Sequence, residues 1–485
     1  MNEVVLGIDV GTQGARVLAV TPDGHVAGAA EAAFPAAGPA LPPGWFEQDP
    51  RDWWSAAAAC LRQVAGELPP AARVAGISVD STSGTVLPVD GAGEPLCPAL
   101  MYNDQRSEGL SERVQAAAKA HQERFGFVFG SSYALPKILW IKENRPDIYA
   151  QTARFLHAAD FIAGRLTGSY EFSDTSNALK TGYDLLDLRW PEFIEHSLGL
   201  PLNLLPRAVL PGTQIGRVWR GAAEETGLPE GTPVMAGATD GVAAQVASGA
   251  AAPGDWNATL GTTLVLKGVS RSLKPDPLGR VYSHRHPQGW WMPGGASNTG
   301  AGWIRHDFPS ADLDDLNRQA AAVVPTGVVR YPLLKRGERF PFLHPDAQGF
   351  VLGDPPDPLA FYAAGLEGAA MLERLAYEVL ASIGLEVGEK VFITGGGAKS
   401  MLWSEIRASV LGKVMIQPQV SETAFGAAVI AASGCWYHDL SQAAGQMVRA
   451  ARLIEPNPKW RQAYEEQYAR FTAELDRRGY LGADR

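Results

Sequence analysis

Cysteine is scarce in this sequence. Its 485 residues include only three cysteines, Cys60, Cys97 and Cys435, which lie far apart and follow no metal-ligand spacing. Small secreted domains are rich in disulfides, whereas thiols stay reduced in the cytosol. The scarcity argues against a fold held together by disulfides, and we expect a cytoplasmic protein.

The sequence also lacks an excess of positive charge and any long hydrophobic run. Asp and Glu number 52 against 42 Lys and Arg, and the formal net charge of −10 argues against nucleic-acid or anionic-membrane partners. The apolar run that follows Glu3 stops at Asp9, unlike that of a signal peptide. The longest apolar stretches, such as 424–433, are shorter than the ~20 residues needed to span a bilayer. We therefore expect a soluble protein without a membrane segment.

Two common nucleotide-binding patterns are missing as well. No G-x-x-x-x-G-K-[ST] run occurs, which excludes a P-loop. The glycine-rich run 395–400 fails the dinucleotide pattern G-x-G-x-x-G, because Ser400 occupies its last position. A bound nucleotide would have to be held by turns of another kind.

Length and element order predict the fold class. A chain of 485 residues exceeds the usual size of a single core, so two domains are expected. Strand and helix patterns alternate in both halves, with helices predicted at about 50–66, 359–383 and 401–411, which is typical of an α/β protein. A strand-turn-strand pattern opens at Val4 and again at Trp256, after a change of composition. We predict an N-terminal lobe over 1–250, a C-terminal lobe over 251–440 and a charged helical segment over 441–485.

The first candidate site is the turn after the first strand. Asp9 ends this strand, and Gly11, Thr12 and Gln13 follow in the turn. A carboxylate can hold Mg²⁺ through water, while the N–H groups of a turn and a hydroxyl can face phosphate oxygens. The turn therefore suits a metal-bound polyphosphate, and an ordinary hairpin is the alternative interpretation.

Two further turns lie in the second half of the chain. Gly261, Thr262 and Thr263 repeat the small-residue hairpin turn, and two such turns facing each other would clamp a triphosphate. The run 394–400 lies between a strand and a helix, and its glycines would let the backbone lie flat against an adenine or ribose. Each turn taken alone has a structural alternative, namely a hairpin or a flexible strand-to-helix connection.

Asp240 is the candidate general base. It follows an apolar strand in the run G-A-T-D-G at 237–241, where small neighbours let a substrate approach. A general base for phosphoryl transfer must accept a hydroxyl proton within hydrogen-bonding distance, and Asp does so without a strongly raised pKa. Capping of the helix that follows is the alternative interpretation, and the two roles are compatible.

These segments, in this order and spacing, resemble the FGGY family of carbohydrate kinases. Further matching segments are G-W-F-E-Q-D-P at 44–50, Y-N-D-Q-R at 102–106, K-I-L-W-I-K-E-N at 137–144 and G-A-A at 426–428, the last fitting a small-residue helix near the nucleotide. Tyr102 replaces the usual Trp of the family, and Ala134 departs from the upstream [PST] position. The resemblance implies a two-lobed, actin-like (ribonuclease H-like) ATPase fold with its active site in the interdomain cleft.

The resemblance also implies a role for each candidate residue. Asp240 is expected to be the catalytic base, and Asp9 is expected to organise Mg²⁺. The ATP-binding residues that it implies are Gly11, Thr12, Gln13, Gly261, Thr262, Thr263, Gly396, Gly397 and Ser400. ATP and Mg²⁺ are the expected cofactors and a small sugar or polyol the expected partner, and a homodimer is expected from the resemblance alone.

The acceptor is predicted from the segment V-D-S-T-S-G at 79–84. It lacks the Arg-Glu pair of glycerol kinases and the Met-His positions of xylulose kinases, and it most resembles the D-ribulose kinase-like branch. We therefore expect conversion of D-ribulose to D-ribulose 5-phosphate, with D-xylulose or a pentitol as the alternative acceptor. The predicted substrate-binding residues are Ser81, Thr82, Tyr102, Asp104 and Asp240. A hydrogen-bonded turn is the structural alternative for 81–82, and an actin-like ATPase switch is the alternative from another class of function.

Overall fold

The computed structural model describes residues 3–35 and 40–482, and these residues divide into two compact units. The first unit runs to Ala247 and also contains His284–Gly289 and Val420–Val448. The second contains Ser248–Ser283, Trp290–Gln419 and the chain from Arg449 onward. The first unit thus includes residues 420–448 in addition to nearly all of the predicted N-terminal lobe. The predicted N-terminal lobe begins at residue 1 and the predicted helical segment ends at residue 485, and both of these residues lie outside the described part of the chain. The division of the chain into functional lobes stays a prediction.

The strands of the first half of the chain are short, and most of them are apolar. They are β1 (Glu3–Val10), β2 (Gly14–Val20), β3 (Val26–Ala33), β4 (Glu47–Gln48), β5 (Arg73–Ser81), β6 (Leu87–Val89), β7 (Ala99–Leu100), β8 (Arg154–Leu156), β9 (Phe172–Asp174), β10 (Arg207–Val209), β11 (Gln214–Arg217) and β12 (Pro233–Thr239).

The helices of the first half begin with α1, where the prediction is confirmed. Asp49 precedes the helix and accepts a hydrogen bond from the Arg51 N–H, and Pro50 takes the first helical position, where its missing N–H is not needed. The helices are α1 (Pro50–Glu67), α2 (Ser111–Ala117), α3 (Lys119–Phe125), α4 (Ala134–Asn144), α5 (Pro146–Gln151), α6 (Ala158–Thr167), α7 (Thr175–Ala178), α8 (Glu192–His196), α9 (Arg220–Thr226) and α10 (Asp240–Ser248).

The second half contains a further series of strands and helices, and the helices predicted near 359–383 and 401–411 are confirmed. The strands are β13 (Trp256–Leu260), β14 (Leu264–Gly268), β15 (Val281–Arg285), β16 (Trp291–Ala296), β17 (Val329–Tyr331), β18 (Phe350–Leu352), β19 (Lys390–Thr394), β20 (Val414–Pro418) and β21 (Ala450–Ile454). The helices are α11 (Gly302–Asp307), α12 (Leu313–Ala320), α13 (Pro358–Ser382), α14 (Met401–Leu411), α15 (Thr423–Cys435), α16 (Leu440–Met447) and α17 (Arg461–Arg477). Among the described residues, no helix is both long enough and apolar enough to cross a bilayer.

A mixed sheet forms the centre of the first unit. Its described strands follow the order β11-β12-β5-β1-β2-β3, and the three strands β12, β5 and β1 are parallel to one another. The register pairs Asp9 of β1 with Asp80 of β5, and Asp80 with Ala238 of β12. Because side chains alternate between the two faces of a strand, paired residues lie on the same face. The register therefore brings the polar ends of these three strands to one edge of the sheet.

A second mixed sheet forms the centre of the second unit. Its order is β15-β16-β14-β13-β19-β20-β21, with β13, β19 and β20 parallel. The predicted hairpin at the start of this half corresponds to β13 and β14, which pair antiparallel. The 441–485 segment contains α16 and α17 as described helices, and β21 between them is a strand that the helical prediction omitted. β21 is the edge strand next to β20, with which it pairs antiparallel.

The two faces of β1 bury different kinds of side chain. Leu6 and Ile8 belong to the apolar core that also contains Trp53 of α1 and Phe161 of α6. On the opposite face, Gly7 lies against the backbone of α15, where an added Cβ would overlap the carbonyl oxygen of Ala424. The small-residue helix predicted from 426–428 therefore packs directly on the central sheet of the first unit.

Gly7→Ala should destabilise the first unit by about 1–3 kcal/mol, because the overlap can be relieved only by shifting backbone. Gly66, in the last turn of α1, is the matched control because nothing lies within 4 Å of its added Cβ. Gly66→Ala should stabilise the protein by about 0.5–1 kcal/mol, since Ala loses less chain entropy. Urea unfolding measures both changes, and equal stabilities for the two variants would contradict the close packing of α15.

Candidate active site

The turn between β1 and β2 is a tight hairpin. The Gly11 N–H donates to the carbonyl oxygen of Gly14 at 3.0 Å, and the side chains of Thr12 and Gln13 are exposed. The Gln48 side chain donates to the carbonyl oxygen of Thr12 at 2.7 Å, which fixes the turn against β4. The geometry satisfies the hairpin interpretation and leaves the predicted phosphate-binding side chains accessible.

Three carboxylates cluster where β1, β5 and β12 end. Asp9 lies next to Asp80 by register, and Asp240 follows β12 at the start of α10. Burial raises the pKa of Asp80 well above its ordinary value, and the charges of Asp9 and Asp240 raise it further. The charges of Asp240 and Asp9 therefore both act on the Asp80 carboxyl group. The two acidic residues predicted from distant parts of the sequence belong to one cluster.

The interactions of Asp9 partly offset the effect of burial on its pKa. Burial raises the pKa of Asp9, while hydrogen bonds with Thr423 and Asp80 and the charge of Arg16 act in the opposite direction. Arg16 also forms ion pairs with Glu31 and Glu422, so its charge is shared among acidic groups. The cluster therefore carries more negative than positive charge.

Asp240 is the first residue of α10, and its role as the general base stays a prediction. Its half-buried carboxylate accepts a hydrogen bond from the Gly241 N–H at 2.6 Å, in the first turn of α10. An acidic side chain at this position is stabilised by the positive end of the helix dipole. The first turn of the helix therefore orients the Asp240 carboxylate.

The carboxylate cluster fits a hard cation such as Mg²⁺. Both side-chain oxygens of Asp80 are buried without a hydrogen-bond donor among the described residues. Those residues contain no set of three His, Cys, Asp or Glu side chains arranged to ligate a metal ion by themselves. Mg²⁺ commonly binds through one or two carboxylates, several waters and the phosphates of a nucleotide. The donor set thus fits Mg²⁺ that arrives with a nucleotide better than a metal held by protein ligands alone.

The predicted turns of the second unit line one cavity. It measures about 490 Å³, which lies within the usual range for small-molecule sites. Five predicted ATP-binding residues contribute to its wall: Gly261, Thr262, Gly396, Gly397 and Ser400. Thr263 belongs to the same β13–β14 turn, where its carbonyl oxygen accepts the Gly261 N–H at 3.0 Å. The structure therefore brings together turns that are 135 residues apart in the sequence.

Ser400 has a structural role in this cavity as well. Its hydroxyl oxygen accepts the Trp403 N–H at 3.2 Å and caps the start of α14. The opposite wall includes Asn317 and Tyr362, which the sequence analysis did not identify. The Tyr362 hydroxyl donates to the side-chain carbonyl of Asn317 at 3.0 Å and fixes the orientation of this amide.

Two of the predicted sugar-binding residues, Ser81 and Thr82, have hydroxyls that already form hydrogen bonds within the protein. Ser81 is fully buried and accepts the Ala159 N–H at 2.9 Å, and Thr82 bonds to the hydroxyl of Thr85 at 2.9 Å. The hydrogen-bonded turn, the alternative interpretation, thus describes Thr82, whereas Ser81 ends β5 and bonds to the backbone of α6. The neighbouring Ser83 has a buried hydroxyl without a partner among the described residues, and it was not predicted.

The other two predicted sugar-binding residues lie in the 102–106 segment. Asp104 is fully buried and accepts hydrogen bonds from the Phe46 N–H and from the backbone and guanidinium of Arg106. Its oxygens are therefore occupied by protein donors. Tyr102 is 38% exposed, so this residue remains accessible. Its backbone N–H donates to the Thr85 hydroxyl.

Two buried basic side chains position the 81–85 loop. The Lys137 ammonium donates to the carbonyl oxygens of Gly84 and Tyr133, at 3.3 and 3.2 Å, and burial lowers the pKa of this lysine to about 7. His157 bonds through Nδ1 to the carbonyl oxygen of Thr85 at 2.9 Å. Lys137 opens the K-I-L-W segment at 137–140, so a sequence signal existed, although its positioning role was not predicted.

Comparison with known proteins gives a consistent result over most of the chain. Residues 4–247 match the model of the N-terminal domain of the FGGY family of carbohydrate kinases, and residues 256–435 match that of its C-terminal domain. The sequence is 31% identical over 442 residues to a xylulose kinase of Streptomyces rubiginosus, covering 88% of this chain and 87% of that protein. It is 26% identical over 482 residues to a xylulose kinase of Bacillus subtilis (strain 168), covering 95% and 94%.

A solved structure agrees with these sequence matches. The crystal structure of xylulose kinase from Rhodospirillum rubrum superimposes with a TM-score of 0.86 at 27% identity, covering 98% of both chains. The predicted two-domain α/β fold is thereby confirmed.

Ser81→Ala and Ser83→Ala form a matched pair that tests the hydrogen bonding of the 81–85 loop. Ser81→Ala should lower the free energy of unfolding by about 1–3 kcal/mol, because the Ala159 N–H loses its acceptor. Ser83→Ala removes a hydroxyl that has no partner among the described residues, so it should cause no such loss. Thermal unfolding of both variants measures the difference, and an equal loss in Ser83→Ala would contradict these assignments.

Proposed function

We propose a reaction and an acceptor for this chain, which belongs to the FGGY family of carbohydrate kinases. It transfers the γ-phosphoryl group of ATP to a hydroxyl group of a ketopentose. The observation that carries the proposal is the clustering of Asp9 and Asp240 with Asp80 at one sheet edge. Both outer residues were predicted from the sequence, as the metal-organising group and the base.

Asp240 acts as the general base in this reaction. Its carboxylate accepts the proton of the acceptor hydroxyl while the hydroxyl oxygen attacks the γ-phosphorus. The new oxygen–phosphorus bond forms as the bond to the bridging oxygen of ATP breaks, and ADP leaves with that electron pair. The hydrogen bond from the Gly241 N–H orients the carboxylate for this step.

The other predicted residues hold the nucleotide. Asp9 is the residue proposed to hold Mg²⁺, which when bound neutralises charge on the β- and γ-phosphates. The exposed turn of Thr12 and Gln13 and the turn of Thr262 and Thr263 offer hydroxyl, amide and N–H donors to phosphate oxygens. The 490 Å³ cavity of the second unit, which Gly396 lines, accommodates the adenosine.

Two ketopentoses compete as the acceptor. The names of the relatives support D-xylulose, the alternative acceptor, better than the D-ribulose expected from the sequence. The 79–84 segment is the specific observation in favour of D-ribulose, because it lacks the Met-His positions of xylulose kinases. Ser83 offers an unoccupied hydroxyl to either sugar. Family membership favours both over an actin-like switch.

Asp240→Asn should lower kcat by about 10²–10⁴-fold while nucleotide affinity stays unchanged, because the amide cannot accept the hydroxyl proton. Asp147→Asn is the control, since the Asp147 side chain is 66% exposed and lies on α5. Steady-state kinetics and titration with ADP separate the two effects. Substantial turnover by Asp240→Asn would contradict its assignment as the base.

An ADP-release assay with Mg-ATP identifies the acceptor. D-xylulose, D-ribulose, L-ribulose, ribitol, xylitol and glycerol are compared by kcat/KM. A ketopentose should exceed glycerol and the pentitols by at least about tenfold, since a site complementary to a ketopentose loses contacts with a shorter chain or with a molecule that lacks the carbonyl. Preference for D-xylulose would follow the relatives, preference for D-ribulose would follow the 79–84 segment, and preference for a pentitol or glycerol would contradict the ketopentose proposal.

A further inference from the structure

Asp80 occupies the centre of the carboxylate cluster. It lies on β5, the strand between β1 and β12, and it pairs by register with Asp9 on one side and Ala238 on the other. Asp240 follows Ala238 by two residues, and its charge acts on Asp80. The Asp80 side chain is fully buried.

Its hydrogen bonding distinguishes Asp80 from the structural carboxylates of this protein. Asp276, for comparison, is 2% exposed and accepts hydrogen bonds from the Arg280 backbone and guanidinium at 2.7–2.9 Å. Neither Asp80 oxygen accepts a hydrogen bond from the described residues. The contact with Asp9 needs a proton on one of the two carboxyl groups, and it raises the pKa of Asp80 while lowering that of Asp9, which makes Asp80 the donor. A buried carboxylate without donors is costly, so a purely structural role does not explain it.

A cation would satisfy the Asp80 oxygens. The nearby positive group of the protein, Arg16, is already paired with Glu31 and Glu422. Carboxylate oxygens are hard ligands, and Mg²⁺ and Mn²⁺ prefer such ligands. The cluster thus has more carboxylate oxygens than positive groups to pair with them, on the face of the sheet where Asp9 is proposed to hold Mg²⁺.

We propose that Asp80 is a second carboxylate for the divalent cation that accompanies ATP, held beside Asp9 by the β1–β5 register and acting on the cation directly or through one of its waters. This role rests on the proposed kinase function of the same site. Asp80 is a positioning residue, and it takes no proton from the acceptor.

The test uses Asp80→Asn, which preserves shape and removes one charge. Mn²⁺ binding in the presence of the non-hydrolysable ATP analogue AMP-PNP is measured by electron paramagnetic resonance, without any sugar. The affinity should fall about 10–100-fold, the usual effect of losing a group that supports a metal site. The melting temperature of the metal-free variant should not fall, since the Asp80 oxygens accept no hydrogen bond that the substitution would remove.

Asp276→Asn is the matched control, because it is the same chemical change at a buried carboxylate that has donors. It should lower the melting temperature and leave Mn²⁺ affinity unchanged. Asp80→Ser provides a second variant with the same expected loss of Mn²⁺ affinity, should the amide disturb folding. In kinase assays, high Mg²⁺ should restore most of the activity of Asp80→Asn, whereas a structural defect would not respond to Mg²⁺.

Wild-type Mn²⁺ affinity in Asp80→Asn, or a lower melting temperature with unchanged Mn²⁺ affinity, would overturn the proposal. The outcome is separable from that of the proposed function, because the binding measurement needs no acceptor. A protein that phosphorylates no ketopentose but loses Mn²⁺ affinity on Asp80→Asn would refute the acceptor and keep the role of Asp80. A protein that phosphorylates a ketopentose but whose Asp80→Asn variant binds Mn²⁺ with wild-type affinity would keep the acceptor and refute the role of Asp80.

Discussion

The mutual repulsion of Asp9, Asp80 and Asp240 is the constraint on which the proposed chemistry depends. Desolvation and like charge both disfavour ionised carboxylates at one place, so the surrounding structure must hold them there. The parallel register of β1, β5 and β12 does so, because it fixes which side chains share a face.

Close packing behind the sheet keeps this arrangement in place. α15 approaches the backbone of β1 at Gly7, and Thr423 at its start also contacts Asp9. A larger residue at position 7 would prevent this close approach, since an added Cβ at Gly7 already overlaps the helix backbone. The helix lies about 420 residues after β1 in the sequence, so the site depends on packing between distant segments.

Much of the fold and part of the site could be predicted from the sequence. The bounds of α1, α13 and α14 follow from local periodicity and capping, and Asp9 and Asp240 stand out because strand, acidic residue and glycine follow one another. Asp80 could not be recognised in this way, because its importance arises from pairing between strands about 70 residues apart. The hydrogen bond that occupies Ser81 was equally hidden, since its donor is the backbone of Ala159.

The central claim is that the ends of β1 and β5 hold the divalent cation of the nucleotide complex. A crystal grown with Mn²⁺ and AMP-PNP, measured at the manganese absorption edge, locates the ion directly. The account predicts an anomalous peak within coordination or water-mediated distance of both Asp9 and Asp80. A well-ordered nucleotide with its manganese peak away from both carboxylates would contradict the account.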